Sequence, residues 1–168
     1  MTGWLALVAF VALQRLAELA WSARNTARLR AAGAVEVGAA HYPLFVALHG
    51  GWLASLALLV PAGAALDPWF LAGFVALQGA RLWVVATLGR CWTTRILSLP
   101  GAPLVRRGPY RYLRHPNYLV VALEIPAVPL IAGAWQIALV FGTLNLALLA
   151  CRIRVEDRAL AVRRSIAP

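Results

Sequence analysis

The chain has 168 residues, 62% of them hydrophobic and only 13% charged. A soluble domain carries about a quarter charged residues, so this composition excludes an ordinary water-soluble globule. The net charge of +10 is carried by Arg without any Lys, and a mean hydropathy of +0.74 sets those cations between apolar runs, which suits anionic lipid headgroups and argues against nucleic acid as a partner.

Crossing a bilayer takes roughly 20 mostly apolar residues. Five runs come close, over residues 2–22, 42–60, 68–88, 118–132 and 135–151. The first lacks a basic leader and a convincing cleavage site, so it reads as a membrane helix that stays and not as a secretory signal. The second stops at Pro61 and Gly63. The fourth is short and holds Pro126 and Pro129, a backbone defect that neighbouring helices can absorb. Only Gly133-Ala134 separates it from the fifth, which predicts a tight helical hairpin. No internal repeat divides the chain, so residues 1–168 form one domain.

The segments between the runs are unequal. All but two of the 16 arginines, Arg15 and Arg81, lie in residues 23–41, residues 89–117 or the tail after Cys151. The loops 61–67 and 133–134 hold none. The positive-inside rule then predicts an outer N-terminus and a cytoplasmic C-terminus in a bacterial-type inner membrane. Five spans satisfy that alternation, whereas four or six do not. Trp69 and Trp135 become outer interface anchors. Cys91 and Cys151 are far apart, with no CxxC and no metal-type His spacing, so they are expected to be small apolar fillers, and no metal site is expected.

Five ionisable residues fall inside the runs: Arg15, Glu18, His49, Arg81 and Glu124. Each is four to seven residues from the Arg-rich end of its run, roughly 6–11 Å deep. Arg15 and Glu18, three apart on one helix face, can neutralise each other. His49, Arg81 and Glu124 have no local partner, and a shared polar cavity that meets substrate is the more economical account of them.

Information is densest just before the fourth run, in Arg106-Arg107-Gly108-Pro109-Tyr110-Arg111-Tyr112-Leu113-Arg114-His115-Pro116-Asn117-Tyr118. Gly-Pro signals a turn. His115 precedes a proline and must leave the helical region, so the fourth helix starts around Pro116. A helix start offers free N–H groups to an anion. Anchoring in headgroups would explain the Arg and Tyr but not the Gly-Pro and His-Pro punctuation. A second cluster, Arg152-Ile153-Arg154-Val155-Glu156-Asp157-Arg158, continues the fifth run, with Arg152 and Glu156 on one face.

"GPYRYLRHPNYL", an apolar hairpin and then "RIRVEDRAL" together resemble the isoprenylcysteine carboxyl methyltransferase family, over Gly89 to Leu160, with "LGRCWTTRI" as a weaker upstream part. The N-terminal half, "RLAELAWSARN" and "EVGAAHYPLFVALHG", resembles small bacterial members, some of which resemble methyltransferases acting on alkylpyrones made by type III polyketide synthases. The resemblance implies an all-α integral membrane protein of about five transmembrane helices with a cytoplasmic cofactor-binding segment. It implies S-adenosylmethionine as cofactor, lined by Tyr112, His115, Pro116, Asn117, Tyr118 and Glu156. Arg152 and Glu156 would face the reaction centre, and a lipid tail would enter between helices. Two departures matter. Asp157 stands where the family usually has a second Glu, and the aromatic "FGxxYxxY" stretch is replaced by "AVRRSIAP". The second departure speaks for a small lipidic acceptor over a eukaryotic-type protein substrate.

The expected reaction is transfer of a methyl group to a carboxylate or enol oxygen, with Arg152 orienting the anion and Arg81 a second candidate. Three other readings stand beside it: a phospholipid amine N-methyltransferase, an NADPH-dependent steroid-reductase-like enzyme, and a small channel or scaffold. The nearly all-apolar outer halves of the runs count against the channel.

Overall fold

A computed structural model describes residues 2–165, with side chains through residue 161. The elements are α1 (Gly3–Ala31), β1 (Val35–Val37), α2 (Tyr42–Leu59), α3 (Pro68–Leu88), β2 (Ile96–Ser98), α4 (Pro116–Ile131) and α5 (Trp135–Ser165). Single 3₁₀ turns lie at Ala39–His41, Gly89–Cys91 and Gly108–Arg111. The five helices overlap the five apolar runs, but two continue well past them. α1 proceeds through Asn25 and Arg28, and α5 through Arg152 and Glu156. Hydropathy marks the part of a helix that lipid surrounds. Arg, Ala, Leu and Glu are good helix formers in any solvent, so the helix itself runs on. The two strands pair antiparallel with Glu36 opposite Leu97. At three residues each they are too short to show an alternating pattern in sequence.

Helix ends have local causes. Asp67 caps α3, its Oδ1 accepting from Trp69 N at 2.8 Å and Phe70 N at 3.1 Å. His115 sits before Pro116 at φ −132° and ψ 58°, outside the helical region, and α4 begins at the proline. Between α4 and α5, Gly133 takes φ +69°, a left-handed turn that suits glycine.

Four helical stretches are long and apolar enough to cross a membrane: Gly3–Ala31, Ala39–Leu59, Pro68–Cys91 and Trp135–Ala161. α4 is shorter at 16 residues, about 24 Å. It lies packed between α3 and α5. Large apolar side chains face outward on every long helix, among them Leu13, Leu58, Leu82 and Leu139. Such surfaces suit a protein whose solvent is lipid.

The interior has three strata. Near the short loops, Trp4, Trp52, Leu56, Phe74, Val128 and Ile131 form an apolar core. Two indoles there also complete the backbone. Pro129 cannot donate to Ile125 O, and Trp52 Nε1 donates to that carbonyl at 3.1 Å instead. Trp4 Nε1 donates to Leu56 O at 3.2 Å, in the last turn of α2, where carbonyls lack helical partners.

The middle stratum is polar. Arg15 Nη1 meets Glu18 Oε2 at 2.8 Å, and its Nη2 meets Glu124 Oε1 at 2.6 Å. Arg81 pairs with Glu124, and more loosely with Glu18 at 3.4 Å. Gln14 Nε2 donates to Gln78 Oε1 at 2.6 Å, and Gln78 Nε2 to Glu124 Oε1 at 2.8 Å. Two cations and two carboxylates thus balance across α1, α3 and α4. Local pairing and long-range pairing both occur, with Glu124 shared by the two arginines. His49 bonds elsewhere, its Nδ1 2.9 Å from Phe45 O on its own helix and its ring edge-on to Trp52. The third stratum, at the Arg-rich end, holds a pocket.

Candidate active site

The stretch before α4 folds as a turn followed by a helix start. Gly108 has φ +57°, and a Cβ there would lie 2.5 Å from Thr87 Oγ1. Only glycine lets this turn close against the end of α3. Pro109 is buried in the 3₁₀ turn that follows. The turn sends Tyr110 inward and Tyr112 outward. Burial, with Glu156 nearby, pushes the Tyr110 phenol above its usual range, so it stays a neutral hydroxyl. Tyr112 is 74% exposed and its ring lies under Arg111.

On α5, Arg152, Glu156 and Leu160 follow at four-residue intervals and share one face. That face meets the start of α4. Arg152 Nε donates to the Tyr118 hydroxyl at 2.8 Å, and the hydroxyl donates to Glu156 Oε2. His115 stacks on Tyr118 with centroids 5.4 Å apart, and its Nε2 lies 3.0 Å from Asp157 Oδ1. Arg152 also donates from Nη2 to Thr94 O at 2.8 Å and rests against the Phe45 ring.

The segment from Leu88 to Arg106 forms the remaining wall, and α1 holds it in place. Asn25, 1% exposed, donates from Nδ2 to Gly89 O at 3.1 Å and to Trp92 O at 2.8 Å. Ser22 Oγ accepts from Thr94 N at 2.8 Å. The open pocket these walls bound measures about 510 Å³, within the size range of small-molecule and cofactor sites. Its lining mixes apolar Leu88, Ile96 and Leu104 with cationic Arg95, Arg106 and Arg114. Two buried polar atoms on it have no hydrogen-bond partner among the described residues: the donor Trp92 Nε1 and the acceptor Asn117 Oδ1. Buried polar atoms left without partners are costly.

The expected site residues divide clearly. His115, Asn117, Tyr118, Arg152 and Glu156 line the pocket. Tyr112 faces out, and Pro116 is buried as the first residue of α4. Arg81 and Glu124 pair with each other one stratum away, and His49 lines neither described cavity. The cysteines are not buried fillers: both are exposed, and Cys91 lies on the pocket lining. Trp92, Arg95 and Tyr110 were not singled out from the sequence, although "CWTTRI" and "GPYRY" contain them. Choosing Tyr110 over Tyr112 requires the handedness of the Gly108 turn, and adjacent tyrosines carry no such signal.

Long apolar helices with a pocket of mixed polar and apolar lining at one end define an all-α membrane-type protein. Residues 70–162, more than half of the chain, match the Isoprenylcysteine carboxyl methyltransferase (ICMT) family, and the chain belongs to that family of membrane methyltransferases. The chain is similar to the uncharacterized protein YpbQ of Bacillus subtilis (strain 168), at 39% identity over 161 residues covering 94% of this chain and 95% of the relative. An uncharacterized protein of Haemophilus influenzae is 34% identical over 80 residues, 47% of this chain and 46% of its own length. No solved structure matches. The matched region contains all of the pocket lining. Family membership sets aside the reductase and channel readings.

Proposed function

We propose that this protein transfers a methyl group from S-adenosylmethionine to an anionic oxygen, a carboxylate or enol, of a small lipidic acceptor such as an alkylpyrone or a prenylated compound. The pocket would face the cytoplasm, since the arginines gather at its end of the bundle. The observation that carries the reading is the chain Arg152–Tyr118–Glu156, which joins the two motif clusters across 34 residues inside a 510 Å³ pocket.

The residues present fit the cofactor. Apolar Leu88 and Leu104 suit an adenine face, while Trp92 Nε1 and Asn117 Oδ1 are an unused donor and an unused acceptor. S-adenosylmethionine, when bound, supplies a methyl group on a cationic sulfonium that is ready for in-line displacement. Glu156 would place negative charge beside that cation. Two of the three Arg152 nitrogens already hold Tyr118 and Thr94, which fixes the guanidinium plane. The remaining Nη1 would hold the acceptor anion. An acceptor already ionised near neutral pH needs no strong base. The main gain is alignment, which can reach about 7–11 kcal/mol for well-held reactants. Low polarity on the bilayer side would keep water from the anion.

Incubation with labelled S-adenosylmethionine and a membrane lipid extract should yield an O-methylated lipid. Arg152→Ala should lower turnover by about 100-fold, the scale seen when one donor to a developing or reacting anion is removed. Helical circular dichroism should be retained. Unchanged turnover in that variant removes Arg152 from the mechanism. An N-methylated product transfers the assignment to amine acceptors.

A further inference from the structure

A second cavity lies on the far side of the Thr94–Arg95 wall. It measures about 280 Å³ and is bounded by α1, Tyr42 and that wall. Along α1 its lining runs Leu19, Ser22, Ala23, Thr26, Ala27 and Arg30. This is one helix face about 16 Å long, apolar at Leu19 and cationic at Arg30. The apolar end borders the exposed Leu13, Leu16 and Leu19 flank of α1, which suits acyl chains.

The polar end has two features that await a ligand. The Thr26 hydroxyl is buried with no partner among the described residues, in a residue only 6% exposed. Ser22, one turn deeper, is already engaged with Thr94. The second feature is charge. Arg30 and Arg95 share one carboxylate, Glu36, with Arg95 Nη1 at 2.6 Å from Oε1 and Arg30 on Oε2. Two guanidinium cations against one carboxylate leave the rim with a net positive charge. Arg95 is further held by the Tyr42 ring, 4.1 Å from its guanidinium carbon.

We infer that this cleft binds the phosphate head of an anionic membrane lipid, with the Thr26 hydroxyl donating to the phosphate, Arg30 and Arg95 balancing its charge, and an acyl chain lying along the Leu19 flank. A phosphodiester carries one negative charge, which matches the surplus on the rim. The cleft is separate from the candidate active site but shares Arg95 with it. Lipid bound here would fix the wall that holds Arg152 through Thr94 O. The inference rests on the membrane setting and not on methyl transfer, so its readout is lipid retention.

The test uses the full chain in nanodiscs of mixed phosphatidylglycerol and phosphatidylcholine, followed by native mass spectrometry of retained lipid. The wild type should retain phosphatidylglycerol in preference to phosphatidylcholine. Thr26→Val and Arg30→Gln should each reduce that retention about tenfold, the worth of one hydrogen bond to a charged group. Thr26→Ser should keep it. Arg30 is exposed, so its variant keeps the test open even if Thr26→Val fails to fold. Equal retention by the wild type and both variants overturns the proposal. So does release of the lipid by excess inorganic phosphate, which would make the cleft a site for free anions.

Discussion

At the scale of single residues, Gly108 shows how one missing side chain shapes the pocket. Its φ of +57° and the 2.5 Å approach of a hypothetical Cβ to Thr87 Oγ1 impose two separate penalties on any replacement. Gly108→Ala should cost about 1–3 kcal/mol and weaken cofactor binding, because the turn carrying Tyr110 must move. Chemical denaturation and calorimetric titration with S-adenosylmethionine would measure the two effects. Thr87→Ala in the same background should recover the steric part and leave the conformational part. Arg152 and Tyr118 illustrate a different residue-level rule. Arg152 Nε donates to the Tyr118 hydroxyl, which donates on to Glu156, while Arg152 Nη2 is held by Thr94 O, so their geometry is set before any ligand arrives. Asp157, the departure from the family's second Glu, sits beside His115 instead of being lost from the site.

At the scale of elements, α4 is held by a neighbour's side chain. Pro129 deprives Ile125 O of its helical donor and Trp52 supplies a replacement. Trp52→Phe should therefore destabilise the protein by about 1–3 kcal/mol through the orphaned carbonyl, beyond the loss of ring volume. Adding Pro129→Ala returns an N–H to that carbonyl and should recover part of the loss. A double-mutant cycle in detergent unfolding would read the coupling. The β1–β2 ladder is tied differently. Partial burial alone would raise the Glu36 carboxyl, but hydrogen bonds from Arg95 and Arg30, with their charges, hold it below its ordinary value. A carboxyl lowered in the folded state contributes stability above its unfolded pKa of about 4.3, and that contribution is lost as the pH falls through the folded value. Thermal unfolding should thus show the wild type losing an advantage over Glu36→Gln below about pH 4.3, with a constant difference nearer neutrality. A gap unchanged down to strongly acidic pH would show that the carboxylate is not the stabilising form.

Across the whole molecule, the middle of the three strata is the one where buried charges must balance. The middle stratum holds Arg15, Glu18, Arg81 and Glu124 as a neutral set, with Arg81 and Glu124 each 2% exposed. Removing one member leaves an unmatched buried charge. Glu124→Gln should destabilise by about 3–5 kcal/mol. Replacing Arg81 and Glu124 together with Met and Leu should cost much less, since Arg15 and Glu18 remain balanced. Equilibrium unfolding of the single and double variants would decide this, and a double variant as unstable as the single would refute it.

Much of this architecture is legible in the chain itself. The apolar runs locate five helices, the Gly-Pro and His-Pro pairs locate the turn and the start of α4, and the spacing of Arg152 and Glu156 puts both on one face. These features depend on near neighbours or on the solvent around each residue. The β1–β2 pairing, the partners of Arg81 and Glu124, and the inward turn of Tyr110 are not legible. Nor is the role of Ser22, at the end of the first apolar run, or of Asn25, in the Arg-bearing stretch after it, since neither position gives a sign of supporting a pocket wall.

What the sequence by itself determined was the solvent, the helical class, the gathering of arginines at one end and the two motif clusters, because transfer between water and lipid is summed residue by residue along the chain. What only the tertiary structure decided was which side chains meet: Arg152 with Tyr118 across 34 residues, and Arg15 with Glu124 across 109. Those meetings depend on how each helix is rotated and where it crosses its neighbours. No short stretch of sequence carries that information, because it is set by the packing of all five helices at once.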